Sequence, residues 1–189
     1  LRIEIDWRPG QWEVSRMDYR SKDLALGVKG QARRVADGET HLRLDLGAKP
    51  LSVAVLKKYF PARWLASSKI EQLVSAATEG ELQIHKAGVN AKVAEIRRML
   101  ESGLGEGLWF DIEVRNVSGN FPGGYPPLRA VNGRIALENG RFAFSNLRGV
   151  SGRIRLTDVD GSYDYSPASP GVLQLRARGE ADLGELREQ

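Results

Sequence analysis

Two histidines, His41 and His85, are the side chains of this 189-residue chain whose ordinary pKa lies nearest neutrality, so they are the first candidates for acid–base chemistry. Each sits beside an aliphatic residue in an alternating segment, His41 before Leu42 and His85 after Ile84. Strand alternation places both rings on a polar, solvated face. This position, and the lack of a G-x-S-x-G elbow, argue against a Ser-His-Asp triad. The chain has no cysteine, which excludes a disulfide scaffold, a thiolate metal site and a cysteine nucleophile.

Three carboxylates, Asp158, Asp160 and Asp164, lie within seven residues, a density that calcium sites use. An EF-hand loop needs glycine at its sixth position and glutamate at its twelfth, whereas here Gly161 is fourth and Ser169 is twelfth. We therefore interpret Asp160-Gly161 as the turn of a charged hairpin. The chain also lacks the glycine-rich patterns that cradle phosphates. We expect no catalytic residue, no metal and no cofactor.

Composition points to a soluble globular chain, with 41% apolar and 28% charged residues. The 28 basic and 24 acidic residues are interspersed and leave a net charge of only +4. The adjacent basic pairs Arg33-Arg34 and Arg97-Arg98 have no aromatic stacking platform beside them, and we expect no nucleic-acid partner. No run of 18 apolar residues occurs, and the chain opens in mid-alternation at Leu1 without a signal peptide. We interpret it as a single domain, 1–189, excised from a longer protein.

Alternation of apolar and polar residues predicts a four-stranded antiparallel meander over 1–47. Its first turn is Arg8-Pro-Gly-Gln11, and Asp37-Gly38 predicts another hairpin. The apolar phase shifts between Val14 and Met17, as a β-bulge would produce.

Helical spacing replaces the alternation over 48–106, a segment that we interpret as a helical insertion with one strand. A helix over 53–60 is expected to end at Pro61 and a second over 62–77 to end before Gly80. The strand containing Leu82 and Ile84 then precedes a helix at about 91–102.

Alternation returns over 107–189, the predicted C-terminal β-meander. One phrase recurs there three times, starting at Asn132-Gly133, Asn139-Gly140 and Ser151-Gly152 and continuing with arginine and apolar-x-apolar. We interpret each copy as a turn that leads directly into a strand. Strands on both sides of a helical segment predict an α+β fold: a mostly antiparallel, curved, many-stranded sheet, groove-like, with two or three helices packed on one face or end.

The order of several short motifs resembles the central domain of YhdP-type members of the AsmA-like superfamily, which are related to TamB. The motifs are Tyr59-Phe-Pro61, Trp64-Leu65, Gly80-Glu-Leu82, Tyr125-Pro-Pro-Leu128 and Val131-Asn-Gly-Arg-Ile-Ala-Leu137 with its repeat at 140–144. The similarity spans roughly 40–186. The sequence departs from the family pattern at Phe60, where leucine often precedes the proline, and at 125–127, where an aromatic-x-Trp-Pro variant is common.

The resemblance implies the periplasmic portion of an inner-membrane-anchored envelope protein of Gram-negative bacteria. Such a protein is non-enzymatic, and its β-sheet groove is thought to carry phospholipid between the inner and outer membranes and so support outer-membrane biogenesis and integrity. Its partners would be phospholipid acyl chains, neighbouring β segments of the same long chain, and envelope proteins at either membrane.

Ten inward-facing apolar residues of the C-terminal strands are the candidates for lining this groove. They are Leu108, Phe110, Ile112, Val114, Ile135, Leu137, Phe142, Phe144, Ile154 and Leu156. Alternation does not distinguish a lined groove from a filled core under the helices. The alternative function is a structural or interaction module that binds a protein partner by strand addition at an exposed sheet edge.

Overall fold

The computed structural model describes residues 2–36, 38–59, 69–102, 107–121, 126–166 and 169–181. These residues form eleven strands and three helices. The strands are β1 (Arg2–Arg8), β2 (Gln11–Arg20), β3 (Ala25–Arg34), β4 (Thr40–Ala48), β5 (Leu51–Ser52), β6 (Ala77–Lys92), β7 (Leu108–Gly119), β8 (Leu128–Glu138), β9 (Arg141–Ser151), β10 (Ile154–Ser166) and β11 (Ser169–Ala181). The helices are α1 (Val53–Tyr59), α2 (Lys69–Ala76) and α3 (Val93–Ser102).

All strands belong to one antiparallel sheet. Ten of them follow one another in the order β1-β2-β3-β4-β6-β7-β8-β9-β10-β11, and the short β5 pairs with β6 beside the end of β4. The sheet is curved and unclosed, with β1 and β11 as its two edges. This confirms the expected α+β class with a curved antiparallel sheet and helices restricted to the middle of the chain.

The first 47 residues fold as the alternation predicts. Strands β1 to β4 pair in sequence order, and the pairing of β2 with β3 shifts between Val14 and Met17, which confirms the bulge. Gly10 has a φ of 75° in the first turn, a conformation that favours glycine. Asp37 lies outside the described residues, but Gly38 closes the next hairpin by donating its backbone N–H to the carbonyl of Val35.

The longest element of the helical segment is the strand β6, with α1 and α2 before it and α3 after it. Helix α1 ends at Tyr59, within the predicted helix over 53–60. Of the helix expected over 62–77, residues 62–68 lie outside the described part, and α2 ends at Ala76. The segment also contains two strands, β5 and β6, where one was expected. Ala91 and Lys92 pair with β4, so α3 starts only at Val93.

Two expected boundaries in this segment are wrong for one physical reason, which is pairing with β7. Ala77 is not helical, because it pairs with Gly119 and is only 7% exposed. Gly80 does not terminate a helix but lies inside β6 at a φ of 114°, where a Cβ would be 2.6 Å from the Cα of Val117. Long-range packing therefore overrides the local helical pattern.

Two predicted turns in the C-terminal half are also wrong. Asn139-Gly140 and Ser151-Gly152 do connect strands, with φ of 75° at Gly140 and 58° at Gly152. In contrast, Asn132-Gly133 lies inside β8 and Asp160-Gly161 lies inside β10. A Cβ on Gly161 would meet the Phe144 ring at 2.4 Å, so this glycine makes room for an aromatic side chain rather than for a turn.

Irregular residues align across adjacent strands from β6 to β9, a feature that we call the bulge line: Gly80, Asn116, Gly133 and Asn146. All four have positive φ, and the strand pairings shift register around them. Side chains satisfy the backbone amides freed there, since Asn116 N donates to Asn132 Oδ1 at 3.1 Å and Asn146 N donates to Asp160 Oδ1 at 2.8 Å. Bulges bend and twist a strand, so their alignment folds the sheet along one line.

A small core lies under α1 at the bulge line. Val53 of α1 packs with Ala77, Val114 and Val117, and each of these four is less than 8% exposed. Partly buried residues from β6 to β9 surround this cluster, including Leu82, Val131 and Leu147. Helix α1 therefore covers only part of the sheet.

Gly88 of β6 lies where β4 and β7 pack closely against that strand. A Cβ at this position would lie 2.2 Å from the Leu44 carbonyl oxygen and 2.4 Å from the Trp109 ring. We expect Gly88→Ala to lower the free energy of unfolding by about 1 kcal/mol, because the overlap must be relieved by shifting backbone. Gly47→Ala is the matched control, since its Cβ would meet nothing closer than 3.8 Å. Urea unfolding measures both, and equal stabilities would contradict this packing.

Candidate functional site

Strand pairing gathers the apolar side chains of the sheet on one side. Residues that pair directly across an antiparallel ladder point to the same face. The resulting row of side chains crosses six strands without a charged residue: Ala87, Phe110, Leu137, Phe142, Tyr163 and Leu173. A second row contains Ile84, Ile112, Ile135 and Phe144. We call this side of the sheet the apolar face.

All ten groove candidates lie on the apolar face, on four adjacent strands. The structure divides them by depth. Val114 belongs to the small core, and Ile112 and Ile135 pack against it. The other seven lie outside that core, from the fully buried Leu137 to the exposed Ile154: Leu108, Phe110, Leu137, Phe142, Phe144, Ile154 and Leu156. The filled-core interpretation therefore fits the three residues at the core, and outside it Leu108 and Leu137 are also buried.

The apolar face is wider than the sequence indicated. The row that contains Ala87 continues from β4 to β1, where Leu46, Val28, Met17 and Ile3 pair in turn. The alternation in the first 47 residues was the signal for this extension, but the order of the strands was needed to join both halves. The face thus runs across all ten strands of the sheet path.

Most of the apolar face has no second layer of described structure over it. Among the described residues, the only large side chains less than 2% exposed are Leu137 and Val53. Exposure rises toward the sheet edges, reaching 73% for Trp7 and 61% for Leu173. Two sheets packed face to face would bury such residues, so this single-layered region presents apolar surface to solvent.

An aromatic cluster occupies the centre of the open region. Phe110 and Phe142 lie on the strands either side of Leu137, yet their ring centroids are only 6.3 Å apart in an edge-to-face arrangement. The rings therefore close over Leu137, whose exposed fraction is 0%. Phe144 extends the cluster, with its centroid 6.2 Å from that of Phe142. This cluster is a rigid apolar platform suited to contact with hydrocarbon.

The opposite face of the sheet is covered by ion pairs. Examples are Arg16 with Asp18 at 2.6 Å and Lys86 with Glu138 at 3.0 Å. Asp111 is the one buried carboxylate in the part of the chain that the structure describes; it is 6% exposed and accepts a hydrogen bond from Arg134 Nε at 2.6 Å and a second from Arg134 Nη2. The hydrogen bond from Arg134 holds the pKa of Asp111 below its usual range, against the opposing effect of burial.

The two histidines lie on this polar face, as the alternation predicts. His85 Nε2 is 3.5 Å from Glu113 Oε2, and its side chain is 42% exposed. His41 pairs with Arg33 and Lys92. Lys92 is seven residues from His85 along β6, about 23 Å at the rise of a strand, so the histidines occupy separate places.

The aspartates of β10 do not form a hairpin tip. Asp160 accepts the backbone amide of Asn146, and Asp164 Oδ1 lies 3.4 Å from Arg141 Nε. Within the part of the chain that the structure describes, no group of three His, Cys, Asp or Glu side chains is arranged to hold a metal ion. None of the described helices has the length and hydropathy needed to cross a membrane.

Three motifs behind the AsmA-like resemblance lie wholly or partly outside the described residues. The motif residues outside them are Phe60, Pro61, Trp64, Leu65 and Tyr125. Comparison of the chain with protein-family models, curated proteins and solved structures finds no match.

Proposed function

We propose that this chain is a non-enzymatic lipid-binding segment whose apolar face holds phospholipid acyl chains. The observation that carries the proposal is the continuity of that face: apolar side chains in register across ten strands, half-buried on most of the inner strands and exposed at the two edges. An uninterrupted apolar surface opposite a face of ion pairs is what a hydrocarbon chain needs to remain shielded from water.

Energetics favour hydrocarbon as the occupant. Exposing an acyl chain to water costs about 0.8 kcal/mol per CH₂, or about 12 kcal/mol for sixteen carbons. The row from Ala87 to Leu173 crosses six strands, which corresponds to about 24 Å at the usual strand spacing. Contact of that length, centred on the Phe110–Phe142 pair, offsets a large part of the exposure cost without any polar partner.

The resemblance to YhdP-type AsmA-like proteins supports a cellular location and a transport role for this lipid binding. In this proposal the chain is part of a periplasmic, inner-membrane-anchored envelope protein that carries phospholipid toward the outer membrane. A one-sided sheet suits such a role because lipid can move along the face between neighbouring β segments and the envelope proteins at either membrane.

Phe144 and Ser145 provide a matched pair for testing the proposal, since they are adjacent in β9 and lie on opposite faces. The protein is mixed with phosphatidylcholine vesicles that contain a phospholipid with a pyrene-labelled acyl chain, and lipid bound to re-isolated protein is measured. We expect Phe144→Asp to reduce bound lipid at least tenfold and Ser145→Asp, which faces Arg134, to leave it within twofold. Circular dichroism checks that both variants are folded.

A crosslinking measurement keeps the proposal testable if Phe144→Asp fails to fold. The photoreactive residue benzoylphenylalanine is placed at position 144, where it replaces one aromatic side chain with another, and at position 145 as the control. Lipid crosslinked at 144 and absent at 145 supports the proposal. Wild-type protein that takes up no lipid, or equal crosslinking at both positions, would rule out the apolar face as the binding surface.

A further inference from the structure

No described strand pairs with the outer side of β1 or of β11, and both strands carry exposed apolar residues. In β1, Ile5 is 59% and Trp7 is 73% exposed, and in β11, Leu175 is 60% exposed. Edge strands normally avoid association by being short or by placing proline or inward-pointing charges on the exposed rim. β1, seven residues long, has no proline, and the proline of the thirteen-residue β11, Pro170, lies near its start, away from the stretch 174–180.

Strand direction makes the two edges compatible with each other. The path across the sheet contains ten strands, counting β1 and β11 themselves, and every neighbouring pair is antiparallel. Because ten is an even number, β11 runs opposite to β1. The β1 of a second copy in the same orientation can therefore be added to β11 as one more antiparallel strand, with its apolar face on the same side.

Charge complementarity selects one register for this pairing. When Ile5 is placed opposite Ala177 and Trp7 opposite Leu175, the polar faces of both strands align in opposite-charge pairs. These pairs are Arg2 with Glu180, Glu4 with Arg178 and Asp6 with Arg176. Opposite charges directly across a ladder are favourable and like charges are unfavourable.

Other registers lose this match. Shifting β1 by two residues, the smallest step that keeps the faces matched, brings Arg2 opposite Arg178 in one direction and Glu4 opposite Glu180 in the other. The matched register also extends the charge alternation already present inside each edge. Arg155 pairs with Glu180 in β10–β11, and Arg2 pairs with Asp18 in β1–β2, so the four charges alternate across the junction.

We propose that copies of this chain join edge to edge, with β1 of one copy pairing with β11 of the next in the register that places Ile5 opposite Ala177. The pairing is heterologous, so it leaves a free edge at each end and extends beyond two copies. The exposed Arg2–Glu4 ion pair within β1 does not compete strongly, because exposed pairs contribute little. The pairing is independent of whether the apolar face binds lipid.

Charge reversal tests the register in solution by sedimentation velocity over a concentration series at low salt. We expect wild-type protein to form dimers and larger species that dissociate as salt is raised. We expect Glu4→Arg/Asp6→Arg and Arg176→Glu/Arg178→Glu each to weaken association at least tenfold. Mixing the two variants restores opposite charges at both junctions, so it should restore association to within about threefold of the wild type.

Engineered cysteines give a second measurement, since the chain has none of its own. Two singly substituted chains, Ile5→Cys and Ala177→Cys, are mixed under mild oxidation and compared with Ile5→Cys mixed with Leu173→Cys, four residues out of register. A disulfide-linked heterodimer formed preferentially in the first mixture supports the proposal. The proposal would be overturned if the wild-type protein stays monomeric in sedimentation, or if mixing the two charge-reversed variants does not restore association. Equal disulfide crosslinking in both cysteine mixtures would also overturn it.

Discussion

Leu137→Ala should cost more stability than any other substitution considered, about 3 kcal/mol in the free energy of unfolding. Leu137 is 0% exposed although most of the apolar face around it has no second layer. We attribute its burial to Phe110 and Phe142, which pair with it from either side and whose ring centroids are 6.3 Å apart. Removing the isobutyl group leaves a cavity that the rings fill only by losing their edge-to-face contact, so transfer and packing losses add.

Urea unfolding of Leu137→Ala and of Leu175→Ala measures this difference, with an unchanged m-value confirming that the folded state is preserved. Leu175 is the matched control, because it has the same side chain on the same face but is 60% exposed. We expect its substitution to cost less than about 0.5 kcal/mol. If the two leucines prove equally costly, the aromatic cover over Leu137 does not exist in solution.

Asp111→Asn should give the second largest loss, about 2 kcal/mol near neutral pH. The substitution preserves the size of the side chain but removes the charge that accepts two hydrogen bonds from Arg134. Charge-assisted hydrogen bonds contribute about 1.5–3 kcal/mol each in net terms. We expect less than the sum of two such bonds because asparagine keeps one oxygen acceptor, and because the Arg134 side chain is 57% exposed and water takes over part of its hydrogen bonding.

The pH dependence of this effect has a definite sign. Arg134 lowers the pKa of Asp111 in the folded state, so the carboxylate stabilises the fold above its unfolded pKa of about 3.9. That contribution disappears as pH falls through the lower, folded-state pKa. We therefore expect the stability gap between wild type and Asp111→Asn to be constant from pH 7 to pH 5 and to shrink below pH 4.

Glu113→Gln separates this effect from acid unfolding in general. Arg115 and, to a smaller extent, His85 lower the pKa of Glu113 as well, but the side chain is 36% exposed. The same pH series should show a much smaller gap for Glu113→Gln. A gap for Asp111→Asn that persists unchanged at pH 2.5 would mean that the Arg134 pair contributes no stability.

The apolar face could be predicted from the sequence because its signal is local. Ile112, Ile135 and Phe144 each have at least one charged or polar neighbour and alternate with residues of the other face, and the hairpin order brings them together. The boundary between open face and core was not predictable. It depends on Val53 of α1 reaching Val114 and Val117, a contact about sixty residues apart in the chain.

The identical dipeptides Asn139-Gly140 and Asn132-Gly133 explain the wrong turns. The first forms a turn with φ of 51° and 75°. The second stays inside β8, because Gly133 lies against Leu147 and the carbonyl of Asn146, where a Cβ would be 2.6–2.9 Å from its neighbours. The same local signal therefore has two outcomes, chosen by a strand that the dipeptide does not itself specify.

The covered core occupies one part of a sheet that is otherwise a single layer. It spans the bulge line, with Val114 before Asn116 and Val117 after it, and the burial of these residues stabilises the fold. Outside the core, Phe142, Phe144 and Leu156 share the same sheet but are less deeply buried. Substitutions are thus constrained differently in the two regions: the core and Leu137 must keep their shape, whereas half-buried positions such as Phe144 and Leu156 need only to remain hydrophobic.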